Sequence, residues 1–121
     1  MLSTLPTKDA TQKKDIILSD ILFISTEGEK SWIVYLNNSK QQYVSTSGSL
    51  TYWEKKLPAF WRINESYLIN PALIYRFHPV EMPHFPLPLV ELITGRVLAI
   101  SRQKRNLIQK KWNQLRHSLI S

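Results

Sequence analysis

The feature that most constrains the fold is a succession of short strand-like runs, each ended by polar residues within three to five positions. In the first half of the chain these runs occupy positions 16–18, 21–24, 32–36 and 42–46. Runs of that length are typical of β-strands and too short for most helices. The first two runs are predicted as two strands, or as one strand and a tight bend. The last two are predicted to pair as a hairpin across a longer loop of four polar residues, 37–40.

A polar interruption at 64–66 lies between two further runs of apolar residues. Positions 61–63 and 67–69 flank it and have the composition of strands. Two short strands are therefore expected to hold a polar tip between them, which is a common way to present side chains to a binding partner.

The chain continues with a predicted strand over 72–78 and a proline-rich segment over 79–88. Four of the seven prolines lie in that segment. Proline removes a backbone donor and locks φ, so the segment is predicted to be neither a helix nor a central strand. A second hairpin follows, with strands predicted over 89–93 and 97–100 around a turn at 94–96.

A short helix is predicted in the middle of the chain. It has apolar residues three and four positions apart, at Leu50, Trp53 and Leu57. Pro58 follows the last of them, where a helix should end. The helix has two candidate starts, Ser49 as the N-cap or a capping box formed by Thr51 and Glu54.

A second helix is predicted at the C-terminal end of the chain, with Ser101 as its N-cap. Its apolar residues fall in one stripe at about 100° per residue, at Leu107, Ile108, Trp112, Leu115 and Leu119. Six basic residues and no acidic residue lie between positions 102 and 116. The expected helix is amphipathic and basic.

The length of 121 residues suits one ordinary domain. We expect that domain over 15–121, and we interpret residues 1–14 as a disordered leader or the end of a linker. The formal net charge is +7, and it is unevenly distributed. Residues 1–61 carry seven Lys or Arg and six Asp or Glu, whereas residues 62–121 carry nine and three. A basic half of this kind favours a polyanionic partner, most often nucleic acid.

Several classes of function are excluded or disfavoured by composition. The chain has no cysteine, which excludes disulfides, thiolate nucleophiles and cysteine-based zinc sites and fits a cytoplasmic location. It has three glycines and no Gly-rich phosphate loop, and no apolar run is long enough to span a membrane. His78, Glu81 and His84 recur every three residues but share no face in a proline-rich loop. We expect no enzymatic activity, catalytic residue, metal, cofactor or small-molecule substrate.

Taken in order, three motifs resemble the LytTR family of DNA-binding domains. They are Ser49-Leu50 before the short helix, Phe60-x-Arg62-Ile63-x-x-Ser66-Tyr67-Leu68-Ile69-Asn70 across the polar tip, and Leu98-Ala99-Ile100-Ser101-Arg102 before the last helix. The resemblance covers residues 15 to about 112. It depends on the order and spacing of the three motifs together.

The resemblance implies a mostly β, elongated domain of small sheets with short strands, one short central helix and a C-terminal basic amphipathic helix. It implies double-stranded DNA as the partner, bound by loops in successive major grooves, and it allows a homodimer on direct-repeat sites. It also implies the output domain of a bacterial two-component response regulator, active in transcription regulation. The implied contact residues are Lys30, Asn64, Glu65, Ser66, Arg102, Gln103, Lys104 and Arg105. Asn70 is interpreted as structural.

The sequence departs from the family pattern in two respects. Members usually have His-Arg or His-Asn before the serine, whereas this chain has Asn64-Glu65. A carboxylate weakens attraction to phosphates, although Glu can accept from cytosine N4 and Asn can pair with adenine. The departure therefore bears on the target sequence more than on the activity. Second, residues 1–14 cannot hold a receiver domain, which leaves a stand-alone protein or an excised output domain.

Two other functions compete with binding to duplex DNA. One is a protein-interaction or dimerisation module on the same fold with weakened DNA binding, suggested by Glu65 and by Met82, Phe85 and Leu87 in the proline-rich segment. The other is single-stranded nucleic-acid binding by exposed aromatic residues. Four tryptophans occupy positions that favour packing over stacking on bases, namely Trp32, Trp53, Trp61 and Trp112.

Overall fold

The computed structural model describes residues 4–6, 15–27, 30–78 and 88–120, and the side chains of 16–27, 30–78 and 88–116. The chain forms two compact units, an N-terminal unit, Met1–Ala72, and a C-terminal unit, Leu73–Ser121. The mostly β fold expected from the sequence is confirmed. The assignment of a single domain to 15–121 stays a prediction.

The N-terminal unit contains a two-stranded antiparallel sheet of β1 (Thr4–Pro6) and β2 (Asp15–Ile17). Strand β1 lies within the segment 1–14, whose interpretation as a disordered leader or the end of a linker stays a prediction; the rest of that segment lies outside the described residues. The apolar pattern did not indicate β1, because its hydrogen bonds come from a partner strand and not from a local repeat. A short 3-10 turn, Leu18–Asp20, follows β2, so the two-strand alternative is confirmed for this region.

The main sheet of this unit has five antiparallel strands in the order β5-β4-β3-β7-β6. The strands are β3 (Ile21–Glu27), β4 (Lys30–Asn37), β5 (Lys40–Thr46), β6 (Trp61–Arg62) and β7 (Tyr67–Ile69). The hairpin predicted from the runs at 32–36 and 42–46 is confirmed, since β4 pairs with β5. Because β7 pairs with β3, the segment that follows β6 lies beside the first long strand of the sheet. This order brings the tip at 64–66 close to the β3–β4 end, which is the end of the sheet where β3 stops at Glu27 and β4 starts at Lys30.

The turn between β4 and β5 is shorter than the sequence predicts. Asn37 pairs with Lys40, so only Asn38 and Ser39 form the loop. Both have positive φ, 52° and 66°. These values match the two-residue type I′ turn, whose backbone twist suits an antiparallel hairpin. The predicted longer loop is wrong because polar residues at 37 and 40 belong to the strand ends.

Helix α1 (Leu50–Lys56) lies where the sequence predicts it and packs on the main sheet through Leu50 and Trp53. Ser49 is the N-cap, since its Oγ accepts a hydrogen bond from the backbone N–H of Tyr52 at 3.1 Å. The capping-box alternative is not the one adopted. The core between helix and sheet is apolar, and its buried members include Ile21, Ile24, Ile33, Val44, Leu57, Phe60 and Leu68.

The C-terminal unit is a three-stranded antiparallel sheet in the order β10-β9-β8, followed by helix α2 (Arg105–Ile120). Its strands are β8 (Ile74–His78), β9 (Leu89–Leu92) and β10 (Val97–Ala99). Phe77, Val90 and Leu98 pair across the strands and are buried. The Phe77 ring lies 6.2 Å from that of Trp112 on α2. The strand predicted from 72 starts later because Pro71–Leu73 form a 3-10 turn.

Helix α2 begins later than predicted, at Arg105. Its first intrahelical bond runs from the N–H of Ile108 to the carbonyl of Lys104 at 2.9 Å. Ser101 is therefore not the N-cap; its carbonyl accepts from the N–H of Lys104 at 3.0 Å and closes a preceding turn. The apolar stripe is correct at Ile108, which is buried, but Leu107 is 44% exposed.

Candidate nucleic-acid interface

The polar tip at 64–66 is organised by the side chain of Asn64. Its Oδ1 accepts hydrogen bonds from the backbone N–H groups of Ser66 at 2.7 Å and Tyr67 at 2.9 Å. Asn and Asp commonly fold a turn in this way, because the side chain substitutes for a backbone acceptor. Asn64 is half-buried, whereas the side chains of Glu65 and Ser66 are exposed. Thus the three predicted contact residues of the tip have different roles in its geometry.

The guanidinium of Arg62 supports the tip from the sheet. Its Nε donates to the carbonyl of Asn64 and its Nη2 to the carbonyl of Glu65, both at 2.9 Å. Its Nη1 donates to Oε1 of Glu54 on α1 at 3.3 Å. A planar donor fork of fixed shape suits three acceptors held at different angles. Arg62 therefore ties the tip backbone to the helix.

Arg62 belongs to the tip motif by sequence, but no function is predicted for it there. The available signal was a lone cation two residues before a polar tip, inside an otherwise apolar strand. Such a cation is expected to pair with nearby acceptors when it is mostly buried. Arg62 is the principal functional position that sequence reasoning missed.

The tip is also joined to the main sheet. The N–H of Thr26 donates to the carbonyl of Ser66 at 3.1 Å, which continues the β3–β7 pairing by one residue. On the other side of β3, Lys30 at the start of β4 lies opposite Glu27 in the antiparallel register. The tip and the β3–β4 end are thus neighbours at one end of the sheet.

A surface groove of about 490 Å³ lies at this end of the N-terminal unit. It contains two of the predicted contact residues, Lys30 and Glu65, together with Arg62. The other lining residues are four with a hydroxyl group, one glycine and one leucine, namely Thr26, Ser31, Ser49, Thr51, Gly48 and Leu50. The groove therefore presents one exposed cation, one exposed carboxylate and several hydroxyl groups together.

The wall of the groove before α1 is held in place by Ser31. This residue is fully buried, and its Oγ donates to the carbonyl of Gly48 at 2.6 Å. Gly48 has φ of +114°, a conformation that L side chains rarely adopt. A side chain at that position would also meet the Tyr52 ring at 3.0 Å. The segment leading into α1 is thus specified by contacts from β4.

The other predicted contact residues lie in the C-terminal unit, at the entrance to α2. Arg102, Gln103 and Lys104 form the turn before the helix, and Arg105 is its first residue. Arg102, Gln103 and Arg105 are exposed, and Lys104 is half-buried. Glu91 is the last acidic residue of the chain, so this turn has no acidic neighbour in sequence. The turn and the first residue of α2 therefore carry three cationic side chains and one amide side chain.

Asn70 has a structural role, as the sequence predicts. The side chain is buried, and its Nδ2 donates to the carbonyl of Ile21 at 2.9 Å. Its Oδ1 accepts from the N–H of Ala72 at 3.1 Å. These bonds fix the chain as it leaves β7, which in turn fixes the C-terminal anchor of the tip.

The predicted packing role of the tryptophans is confirmed for two of the four. Trp53 and Trp61 are buried, as packing requires, whereas Trp32 and Trp112 are half-buried. The proline-rich segment that holds Glu81, Met82, His84, Phe85 and Leu87 lies outside the described residues. Among the described residues, no group of three His, Asp or Glu side chains could hold a metal ion. Nor is any helix in the described part of the chain long and apolar enough to cross a membrane.

Comparison with known proteins decides the family. The model of the LytTr DNA-binding domain matches residues 13–113 of this chain. The chain belongs to the LytTR family. The matched family model is that of a DNA-binding domain. No curated protein matches the sequence.

A solved LytTR structure has the same fold. It is the LytTr DNA-binding domain of a Bacillus cereus protein described as a methyl-accepting/DNA response regulator. The two chains superpose with a TM-score of 0.69 at 21% identity, over 90% of this chain and 94% of the other. At that identity the similarity shows the fold alone and says nothing about which residues contact DNA.

Proposed function

We propose that this LytTR domain binds double-stranded DNA sequence-specifically, through loops that enter successive major grooves, and regulates transcription. The observation that carries the proposal is the supported tip. Arg62 and Asn64 hold its backbone, while Glu65 and Ser66 are exposed beside Lys30. A loop that is ordered before binding loses less conformational entropy when it contacts base edges.

The turn before α2 supports the proposal through its charge. Arg102, Lys104 and Arg105 supply cations for phosphates, and Gln103 supplies an amide that can pair with adenine. The C-terminal unit carries eight Lys or Arg and two Asp or Glu. Each phosphate that such a cation neutralises releases counterions, which favours binding at low salt.

Selection from a random duplex library, followed by a salt titration, tests the proposal. We expect an enriched sequence that binds roughly a thousand-fold or more tighter than random duplex at about 150 mM salt. Equal affinity for the selected and the random duplex would overturn sequence-specific binding. Competition with the corresponding single strands separates duplex binding from stacking on exposed aromatics.

Two neighbouring variants separate phosphate contacts from base contacts. Lys104→Gln should weaken binding to all duplexes alike and lower the salt slope by about 0.9. Gln103→Ala should change the preferred base at one position and leave the salt slope unchanged. If both variants changed affinity without any effect on slope or preference, the turn would not contact DNA.

A second candidate function is the interaction module on the same fold. Tyr75, Ile93 and Val97 of the C-terminal unit are large apolar residues at least 48% exposed. Exposed apolar groups of this kind are found at protein-binding surfaces and dimer contacts. Light scattering that shows a dimer without DNA, together with no enriched duplex, would favour this function over DNA binding.

A further inference from the structure

We propose that Lys30 and Glu65 act together to read one G·C base pair or two adjacent ones in the major groove. Lys30 donates to the O6 and N7 of guanine, and Glu65 accepts from the N4 amino group of cytosine. The inference rests on the proposed function and assigns a base preference to residues of this chain. It also makes the unusual acidic tip a determinant of specificity.

The side chains of Lys30 and Glu65 lie close together. Both line the same groove at one end of the main sheet. In the antiparallel register, Lys30 on β4 lies opposite Glu27 on β3. On the other side of β3, the backbone N–H of Thr26 donates a hydrogen bond to the carbonyl of Ser66. Two strand spacings of about 4.8 Å each therefore separate the backbones, or roughly 10 Å. The major groove is about 12 Å wide, so one groove can admit both side chains.

Glu65 differs in role from its neighbour Asn64. The Oδ1 of Asn64 already accepts from the N–H groups of Ser66 and Tyr67, and this residue is half-buried. Glu65 is exposed, and its own carbonyl is held by Arg62. Asn64 is thus a positioning residue, and Glu65 carries the exposed acceptor. The sequence predicted DNA contacts for both Asn64 and Glu65, and we now assign the base contact to Glu65 alone.

The chemistry of the base edges distinguishes cytosine from adenine. A carboxylate only accepts hydrogen bonds, and the donors in the major groove are the amino groups of cytosine and adenine. The adenine amino group lies between two acceptors, N7 of adenine and O4 of thymine, and both repel a carboxylate. The cytosine amino group has an acceptor, guanine O6, on one side only. A carboxylate therefore prefers cytosine, and the ammonium of Lys30 prefers the two acceptors of guanine.

Selection from a random duplex library with matched variants tests the inference. Wild-type protein should enrich a motif with a fixed G·C position. Glu65→Gln should replace cytosine by adenine there, or lower the discrimination roughly 5- to 100-fold. Glu27→Gln is the control, since it removes the same charge near Lys30 from a residue outside the groove. It should leave the motif unchanged and tighten binding to all duplexes slightly.

Modified bases in the selected duplex give an independent readout. N4-methylcytosine at the fixed position should weaken wild-type binding by roughly ten-fold or more, and Glu65→Gln should be nearly insensitive to it. Substitution of 7-deazaguanine should weaken wild-type protein but not Lys30→Gln. An enriched motif that Glu65→Gln leaves unchanged, with no effect of N4-methylcytosine, would overturn the inference while DNA binding stands. No enriched motif for wild-type protein would overturn both.

Discussion

The support that Arg62 gives to the tip yields a quantitative prediction for the variant Arg62→Met. The change removes three donated hydrogen bonds and keeps an apolar stem of similar length. Hydrogen bonds from a charged donor contribute roughly 1.5–3 kcal/mol each, and water can replace part of this at an exposed tip. The two bonds to the carbonyls of Asn64 and Glu65 should therefore contribute about 2–4 kcal/mol to the free energy of unfolding.

The ion pair with Glu54 should contribute much less. The Glu54 side chain is 41% exposed and that of Arg62 is 19% exposed. Pairs of this exposure typically contribute about 0–1 kcal/mol. Glu54→Gln should accordingly lower the free energy of unfolding by less than about 1 kcal/mol. Comparison of the two variants separates the support of the tip from the link to α1.

The assays are urea unfolding and amide hydrogen exchange. Arg62→Met should increase exchange at Ser66 and Tyr67, whose N–H groups depend on the tip conformation, whereas Glu54→Gln should not. Ordering a loose tip of three residues costs about 1–2 kcal/mol per residue, part of which would then oppose binding. Affinity for the selected duplex should fall roughly 10- to 100-fold more than affinity for random duplex.

Val44→Ala is the matched control for stability. Val44 is buried on β5, away from the tip, and its truncation should cost roughly 2 kcal/mol. This variant should keep both the exchange pattern of the tip and the discrimination between duplexes. Equal losses in the free energy of unfolding for Arg62→Met and Glu54→Gln would refute the support of the tip by Arg62. Unchanged protection from hydrogen exchange at Ser66 and Tyr67 in Arg62→Met would refute it as well.

Four further variants, at three positions, test local parts of the fold by urea or thermal unfolding. Asn64→Ala should cost about 1–2 kcal/mol, whereas Asn64→Asp keeps the acceptor for the tip and should cost less; equal losses would contradict the role of Oδ1. Ser39→Gly should stabilise the hairpin by about 1 kcal/mol, because glycine suits positive φ, and an unchanged melting temperature would count against it. Asn70→Leu should cost about 1–3 kcal/mol by leaving the Ile21 carbonyl unpaired, and a neutral result would show that water replaces the amide.

The local elements of this protein were largely predictable from its sequence. Short apolar runs ended by polar residues predicted the strands of the main sheet, and the spacing of Leu50, Trp53 and Leu57 predicted α1, because those patterns depend on neighbours along the chain. The charge of residues 62–121 favoured a polyanionic partner, and the three ordered motifs indicated the LytTR family, which the family model confirms. Element boundaries were less predictable. Ser101 has the composition of an N-cap, yet α2 begins only at Arg105.

The tertiary structure decided what depends on partners distant in sequence. Strand β1 is held by β2, and the 64–66 tip lies beside Lys30 because β7 pairs with β3 across some forty intervening residues. No local period encodes such pairing, since its hydrogen bonds are set by sheet order. Arg62 differs, because its acceptors are local: the tip carbonyls two and three residues away and a helix carboxylate eight residues away. The sequence by itself determined which residues are polar at the tip and the local hydrogen bonds by which Asn64 folds it. The folded sheet decided that Glu65 lies in one groove with Lys30, because that proximity depends on the order of β4, β3 and β7.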